Sequence, residues 1–377
     1  MKLLHTADWH VGKGIAGRSR AEEHRAVLAE TVSLARREEV DLVLVAGDLF
    51  DSASPSPEAE QIVYRTLLSL SDVAPVVAIP GNHDNERRLE AIASVFELVH
   101  VVVRPLPDPE PVRLETSGGE PVCVATLPWI SHRYAIRADQ LMGKDASDLT
   151  GDFRDRMARI IEKATEPFSG DTVNLLIGHV TIAGGQMGGG ERTAQTIFDY
   201  WIDATAFPAD AHYVALGHLH KAQKMPGACP IHYCGSPLML DFSDTGDSRG
   251  ALIVEAAPGT PATVGERPLS SGRRLRTVKG TLDQLAALRD EVGDDYLRVR
   301  VEEKARTGLG DEVRELFPNA VKVIVESGNE DAKRASGRLE RATTSPRELF
   351  TEYLAEREVE DVKLVDLFQK LYEEASA

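Results

Sequence analysis

Residues 41–48 read Asp-Leu-Val-Leu-Val-Ala-Gly-Asp, an apolar run closed by a glycine and an acid. The pattern recurs. Val76-Val77-Ala78-Ile79 runs into Pro80-Gly81-Asn82-His83-Asp84, Leu175-Leu176-Ile177 into Gly178-His179, and Val214-Ala215-Leu216 into Gly217-His218-Leu219-His220. At the N-terminus, Leu3-Leu4-His5-Thr6-Ala7 leads to Asp8-Trp9-His10. Short Val/Leu/Ile/Ala runs with almost no alternation are expected of strands buried on both faces. Strands are therefore predicted over 2–9, 41–50, 75–84, 121–127, 172–178, 212–217, 230–234 and 251–256. Helical periodicity lies between them over about 20–38, 57–70 and 152–166. Strand–helix alternation with short links predicts an α/β layered fold.

Polar residues close these strands, and in open α/β sheets ligands bind beyond the strand C-termini. Asp8, His10, Asp48, Asp51, Asn82, His83, Asp84, His179, His218 and His220 are thereby predicted to gather at one rim. A mixture of imidazoles, carboxylates and one amide oxygen suits borderline first-row metals such as Mn or Fe. In Asp8-x-His10 and His218-x-His220, a spacing of two puts both side chains on one side of an extended segment. Seven or eight ligands exceed one tetrahedral site and fit two ions sharing a carboxylate. Two ions about 3.5–4 Å apart clamp an in-line displacement at phosphorus and lower the pKa of a water between them. The remaining histidines carry no site expectation. His5 lies at the opposite parity to Asp8 and reads as structural.

Composition sets bounds on the rest. The 377 residues allow two or three domains. No apolar run approaches the roughly 18 residues of a membrane span, and no signal peptide is seen, so a cytoplasmic protein without membrane contact is expected. Three cysteines without a CxxC point to a reducing compartment. The net charge is −17, distributed as −13 over 1–270, +1 over 271–341 and −5 over 342–377. Residues 257–272 read as loop, after which 273–326 form a βαβαβ pattern. In it Leu297, Val299 and Val301 are predicted to face a core, and Arg298 and Arg300 a wet, basic surface. A polar stretch, 328–344, precedes two amphipathic helices over about 346–357 and 360–374. The segment 184–191 has five glycines in eight residues and reads as a mobile loop or a site of close backbone approach.

The set Asp8-x-His10, Gly47-Asp48, Gly81-Asn82-His83-Asp84, Gly178-His179 and Gly217-His218-x-His220 resembles the calcineurin-like metallophosphoesterase superfamily. The longer stretches at 3–13, 45–59, 79–84 and 216–221 resemble, within it, the SbcD-type nuclease family. The resemblance implies a β-sandwich core flanked by helices over 1–270, a small α+β capping domain over 271–340, and a linker with a helical pair over 341–377. It implies two Mn2+ ions, with Mg2+ or other divalent ions as substitutes. One would be held by Asp8, His10, Asp48 and His220, the other by Asp48, Asn82, His179 and His218, with Asp48 bridging. His83 would stabilise charge or protonate the leaving oxygen, and Asp84 would orient it. Some relatives carry a histidine where this chain has Asp51, which would then orient His83 or a ligand.

The same resemblance implies 3′→5′ exonuclease action on duplex DNA and endonuclease action on single strands and hairpins. It also implies a homodimer through helices of the first domain, association with the nucleoid, and an ATPase partner, SbcC, gripped by residues 345–374. Arg18, Arg20, Arg25, Arg87, Arg88, Arg133, Arg137, Arg192, Lys221 and Lys224 lie near the motifs and are candidate phosphate contacts. The alternative is a dinuclear phosphodiesterase or phosphatase acting on small or protein phosphoesters, which suits the acidity but leaves the added domains unexplained.

Overall fold

The computed structural model describes residues 1–130, 153–188, 191, 201–244 and 249–326, and in the tail Phe350, Leu354, Leu364, Val365, Leu367 and Phe368. The chain divides into one unit of Met1–Glu191 with Tyr200–Arg273 and another of Arg192–Asp199 with Arg274–Ala377.

The first unit runs β1 (Lys2–Thr6), α1 (Ala21–Glu38), β2 (Leu42–Ala46), α2 (Pro57–Ser71), β3 (Val76–Ile79), α3 (Glu86–Glu97), β4 (Val101–Val103), β5 (Val112–Glu115) and β6 (Pro121–Leu127). It continues with α4 (Phe153–Thr165), β7 (Val173–His179), β8 (Thr181–Ile182), β9 (Trp201–Ile202), β10 (Tyr213–Gly217), β11 (Gln223–Met225), β12 (Ile231–Tyr233), β13 (Gly250–Ala257) and β14 (Thr260–Pro268). Two six-stranded sheets result, ordered β14-β13-β1-β2-β3-β4 and β11-β12-β10-β7-β6-β5. Strands β1 to β4 run parallel, as do β6, β7, β10 and β12. Every residue of β2, β3, β7 and β10 is buried.

Each sheet packs on both sides, which is why its strands lack polar alternation. Leu42, Leu44 and Ala46 meet Val124, Leu175, Ile177 and Tyr213 of the other sheet. Val43 and Val45 point the other way, into the layer of Val27, Leu28, Ile62 and Leu67 from α1 and α2. Helix α4 covers the outer face of the second sheet with Met157, Ile160 and Ile161. The layers are thus helix, sheet, sheet, helix.

Local signals set the helix starts. Ser56 accepts from Ala59 N, with Pro57 at the first position of α2, and Asn85 accepts from Arg88 N at the start of α3. The short strands β4, β8, β9 and β11 fall outside the expected ranges, as do two longer elements. Helix α3 buries only Leu89 and Phe96, so its periodicity is faint. Strand β14 lies in the stretch expected as loop. Its two prolines and a glycine are tolerated because it is an edge strand, hairpinned onto β13.

The second unit holds β15 (Leu275–Gly280), α5 (Leu282–Ala287), β16 (Tyr296–Val301), α6 (Leu309–Leu316) and β17 (Ala320–Val325). The three strands form a parallel sheet, β15-β16-β17. Leu297, Val299 and Val301 are fully buried, as their alternation predicts. The opposite face carries Arg298 and Arg300 as expected, with Lys279 beside them, but its charge is partly offset. Arg300 pairs with Glu326, and Lys279 with Glu302 and Glu326, so acids at strand ends offset part of that charge. In the tail, the described residues are helical, and the rings of Phe350 and Phe368 stack 4.1 Å apart at 11°. The linker 328–344 and most of 345–374 lie outside the described residues. Among described residues, no helix is long and apolar enough to cross a membrane.

Candidate metal centre

All seven expected ligands come together where the two sheets end. His10 Nε2 lies 3.1 Å from His220 Nε2 and 3.3 Å from Asp48 Oδ2. His179 Nε2 lies 3.5 Å from the same Asp48 oxygen and 3.0 Å from Asn82 Oδ1, which is 2.9 Å from His218 Nδ1. Ligand atoms cluster as Asp8, His10 and His220, as His10, Asp48 and His83, and as Asp48, His179 and His218. The two histidines of His218-x-His220 thus serve different clusters.

The backbone delivering these residues is not extended. Strand β1 ends at Thr6, and Asp8 and His10 sit at φ 53° and 44°, Asp48 at 49° and His218 at 100°. The expectation that i, i+2 spacing on a strand aligns Asp8 with His10 therefore fails. Left-handed residues after β1, β2 and β10 aim these ligands instead. Each such residue costs on the order of 1–3 kcal/mol, and this strain persists only because the buried surroundings dictate it. The glycine before a ligand is a steric requirement. A Cβ on Gly217 would stand 1.9 Å from Ala46 O, and one on Gly47, itself at φ 88°, 2.2 Å from His179 Nδ1.

Protonation of these side chains follows burial and mutual charge. Burial pushes Asp8 up to about 7, against the pull of His179. Asp48 is buried too, yet His179 and His10 hold it well below the usual carboxylate range. Burial alone would lower His179, but Asp48 and Asp8 together raise it to about 9. Burial, then the charge of His179, brings His218 down to about 3; burial, then His10, puts His220 well below its ordinary value. The last two imidazoles are thus held neutral, the form a metal requires.

The donor set fits divalent ions. His179 Nδ1–H donates to Ala46 O at 2.8 Å, so Nε2, which faces Asn82 Oδ1 and Asp48 Oδ2, is the atom that would ligate once a cation displaces the proton that Asp48 and Asp8 favour there. The two Nε2 atoms of His10 and His220 likewise face each other. Electron-pair donors crowded at hydrogen-bond distance are satisfied by a cation between them.

The supporting residues depart from expectation. Asp84 does not reach the His83 ring. Its carboxylate accepts from the amides of Gly81 (2.8 Å), Phe50 (2.9 Å) and Leu49 (3.1 Å), tying the loop after β3 to the loop after β2. Burial and the nearby Asp48 raise it to about 6. His83 is oriented by Asp51 through main chain: His83 Nδ1 donates to Asp51 O at 2.8 Å, while its own amide donates to Asp48 Oδ1. The Asp51 carboxylate lies 3.6 Å from His10 Nδ1 and 3.5 Å from Lys13 Nζ. His5 is structural, its Nδ1 2.9 Å from the Tyr213 hydroxyl.

Several candidate phosphate contacts are otherwise engaged. Arg20 is buried and donates to Glu23 and Met239 O, Arg25 pairs with Glu22 and Glu58, and Arg88 pairs with Glu60. Arg18 and Arg87 are exposed. Lys221 Nζ donates to Gln186 Oε1, and Lys224 lies on β11. Arg133, Arg137 and Arg192 lie outside the described residues. Sequence reasoning passed over Trp129, tilted 31° over the His218 ring at 5.0 Å, since a lone tryptophan carries no motif.

Comparison with known proteins agrees with this geometry. Residues 1–222 match the model of the calcineurin-like phosphoesterases, and the chain belongs to that family. The family implies divalent metal ions, for which these clusters are the candidate residues. Within it, the chain belongs with the SbcD proteins. It is 33% identical over 387 aligned positions to the SbcD component of the SbcCD nuclease of Bacillus subtilis, covering 99% of this chain and 93% of that one. It is 32% identical to the corresponding SbcD protein of Rhodobacter capsulatus, covering 76% of each. Residues 271–358 match a second model, described as the type 5 capsule protein repressor C-terminal domain. Among solved structures, a dimetal phosphatase from Danio rerio is similar at TM-score 0.39 and 9% identity, over 72% of this chain and 97% of that one.

Proposed function

We propose that this chain is the nuclease subunit of an SbcCD-type complex, hydrolysing DNA phosphodiesters at a two-ion centre. The observation that carries the reading is the position of Asp48, whose Oδ2 is 3.3 Å from His10 and 3.5 Å from His179, midway between two sets of ligands. Asp8, His10, Asp48 and His220 would hold one ion, and Asp48, Asn82, His179 and His218 the other. The imidazole-rich set favours Mn2+, with Mg2+ a substitute. When bound, the ions supply positive charge at the phosphate and lower the pKa of the attacking water. His83, within 4.8 Å of the ligand atoms of His10 and Asp48, stabilises charge on the phosphate and donates a proton to the leaving oxygen. Asp51 keeps that ring turned to its task through its carbonyl, and Asp84 holds the two loops in register.

The substrates are duplex DNA, degraded 3′→5′, and single strands or hairpins, cut internally, within the nucleoid. Residues 271–340 act as a capping domain, and residues 345–374 grip the SbcC ATPase. A second copy packs on helices of this unit, where Leu68 on α2, Val95 on α3 and Leu98 just beyond it are 41, 64 and 81% exposed. The test is cleavage of 5′- and 3′-labelled duplex and hairpin DNA by the purified chain, with Mn2+ or Mg2+, with and without SbcC. Metal-dependent cleavage that SbcC enhances is expected. No cleavage in any arm, with robust hydrolysis of cyclic nucleotides or phosphopeptides, would overturn the reading in favour of a small-substrate phosphoesterase.

A further inference from the structure

Three histidines of the centre donate their main-chain amides to carboxylates. His218 N reaches both oxygens of Asp8, at 2.9 and 3.2 Å, and His83 N reaches Asp48 Oδ1 at 2.8 Å. Those two acids are themselves in the metal clusters. The third amide, His220 N, donates at 3.0 Å to Glu191 Oε1, and Glu191 belongs to none of the clusters among the described residues. It enters from the glycine-rich segment.

The same Glu191 oxygen accepts from Gly188 N at 2.6 Å. Gly188 lies so close beneath the ligand that a Cβ there would stand 2.9 Å from His220 Cβ and 3.2 Å from its carbonyl carbon. Upstream, Gln223 secures the segment: its Oε1 accepts from Gln186 N at 2.8 Å and its Nε2 donates to Gln186 O at 2.6 Å. His220 O in turn accepts from Ser236 N at 3.2 Å. Both peptide groups of His220 are therefore held, the amide by Glu191 and the carbonyl by Ser236.

We propose that Glu191 is a positioning residue for His220, and that it sets the affinity for the ion held with Asp8 and His10. The turn that carries His220 starts from a strained residue, His218 at φ 100°, and relaxes unless its amides are anchored. Asp8 and Asp48 anchor their histidines while binding metal. Glu191 does the same work for His220 from outside the ion's reach. Loss of such an outer support weakens metal binding about 10–100-fold. Glu191 Oε1 bears on the amides of Gly188 and His220, and His220 clusters with Asp8 and His10, so the effect falls on one ion. This also gives Gly188 a reason: it has to lie flat against a ligand.

The inference rests on the two-ion reading, and the test separates them. The full-length chain, stripped with EDTA and dialysed, is titrated with Mn2+ by calorimetry, alongside Glu191→Ala and Glu191→Gln. Melting temperatures are measured without metal. The wild type is expected to bind two ions. Glu191→Ala is expected to lose about 10–100-fold at one site and keep the other, with a metal-free melting temperature lowered by no more than two stranded amides cost, about 2–6 kcal/mol. Glu191→Gln, whose amide oxygen accepts the same two N–H groups, is expected to restore the lost affinity to within about threefold. Two unchanged sites in Glu191→Ala would overturn the proposal. So would equal weakening of both sites, or failure of Glu191→Gln to rescue. Fewer than two ions in the wild type would instead sink the two-ion reading, and the proposal with it.

Discussion

Replacing Asp84 separates a scaffold from a catalytic partner. Its buried carboxylate is the acceptor for three main-chain amides, those of Leu49, Phe50 and Gly81. A buried donor left without an acceptor costs about 1–3 kcal/mol. Asp84→Ala strands all three, about 3–9 kcal/mol, which rivals the total stability of many domains, about 5–15 kcal/mol. That variant is expected to fold poorly. Asp84→Asn is the informative one. If its oxygen takes the place of Oδ2, it keeps Gly81 and Leu49 without the help of a charge, and its NH2 then confronts the amide of Phe50. One opposed donor plus two weakened bonds comes to about 2–4 kcal/mol. At roughly 2–4 °C per kcal/mol, melting should fall by about 4–16 °C. The measurement is thermal unfolding by circular dichroism in excess EDTA, so that no bound ion adds to the stability. Because these amides flank Asp48 and Asn82, Mn2+ affinity should fall in parallel. An Asp84→Asn protein with unchanged melting and metal affinity but a depressed kcat and a shifted pH profile would refute this. It would restore the idea that Asp84 works through His83.

Two further predictions rest on separate observations. Gly217→Ala forces a methyl to within 1.9 Å of Ala46 O, a main-chain atom of β2 that cannot step aside, so loss of soluble folded protein is expected; an unchanged yield and melting temperature would contradict the close approach. His24 is buried and its pKa is lowered by that burial to about 4, so the native state keeps it neutral while the unfolded chain takes up a proton near 6.5. Its contribution is present above 6.5 and is lost as pH falls toward 4, at about 1.4 kcal/mol per pH unit. Chemical denaturation of wild type and His24→Gln across pH 4–8 should show the wild type losing stability faster on acidification by one proton's slope; parallel curves would mean His24 is charged in the fold.

How much of this could be read in the sequence depends on where a residue's signal lies. The ligands were legible because each follows an apolar strand, and strands buried on both faces leave few places for Asp or His except their ends. The supports were not legible. Asp84 and Glu191 act on backbone amides of segments far from them in sequence, Glu191 on His220 and Asp84 on Leu49 and Phe50. No spacing rule reports such a contact. Nor does i, i+2 spacing report that Asp8, His10, Asp48 and His218 sit in the left-handed region, because that choice is imposed by packing and opposed by local preference.

Charge shows the same limit from the other side. Arg298 and Arg300 look basic when read along one strand. In the sheet, Arg300 is beside Glu326, Lys279 lies between Glu302 and Glu326, and Arg298 Nε donates to Thr277. Arg20, Arg25 and Arg88 are likewise engaged by acids in the first unit. A cation already paired releases little counterion when a phosphate approaches, and counterion release dominates affinity for DNA. With a net charge of −17 and Arg20, Arg25, Arg88 and Arg300 paired with acids, bound ions would be the strongest anchors for a phosphate among the described residues. The chain's grip on DNA should therefore depend on metal occupancy and on a partner's charge. Tight, salt-resistant binding of DNA by the isolated, EDTA-treated chain would contradict that division of labour.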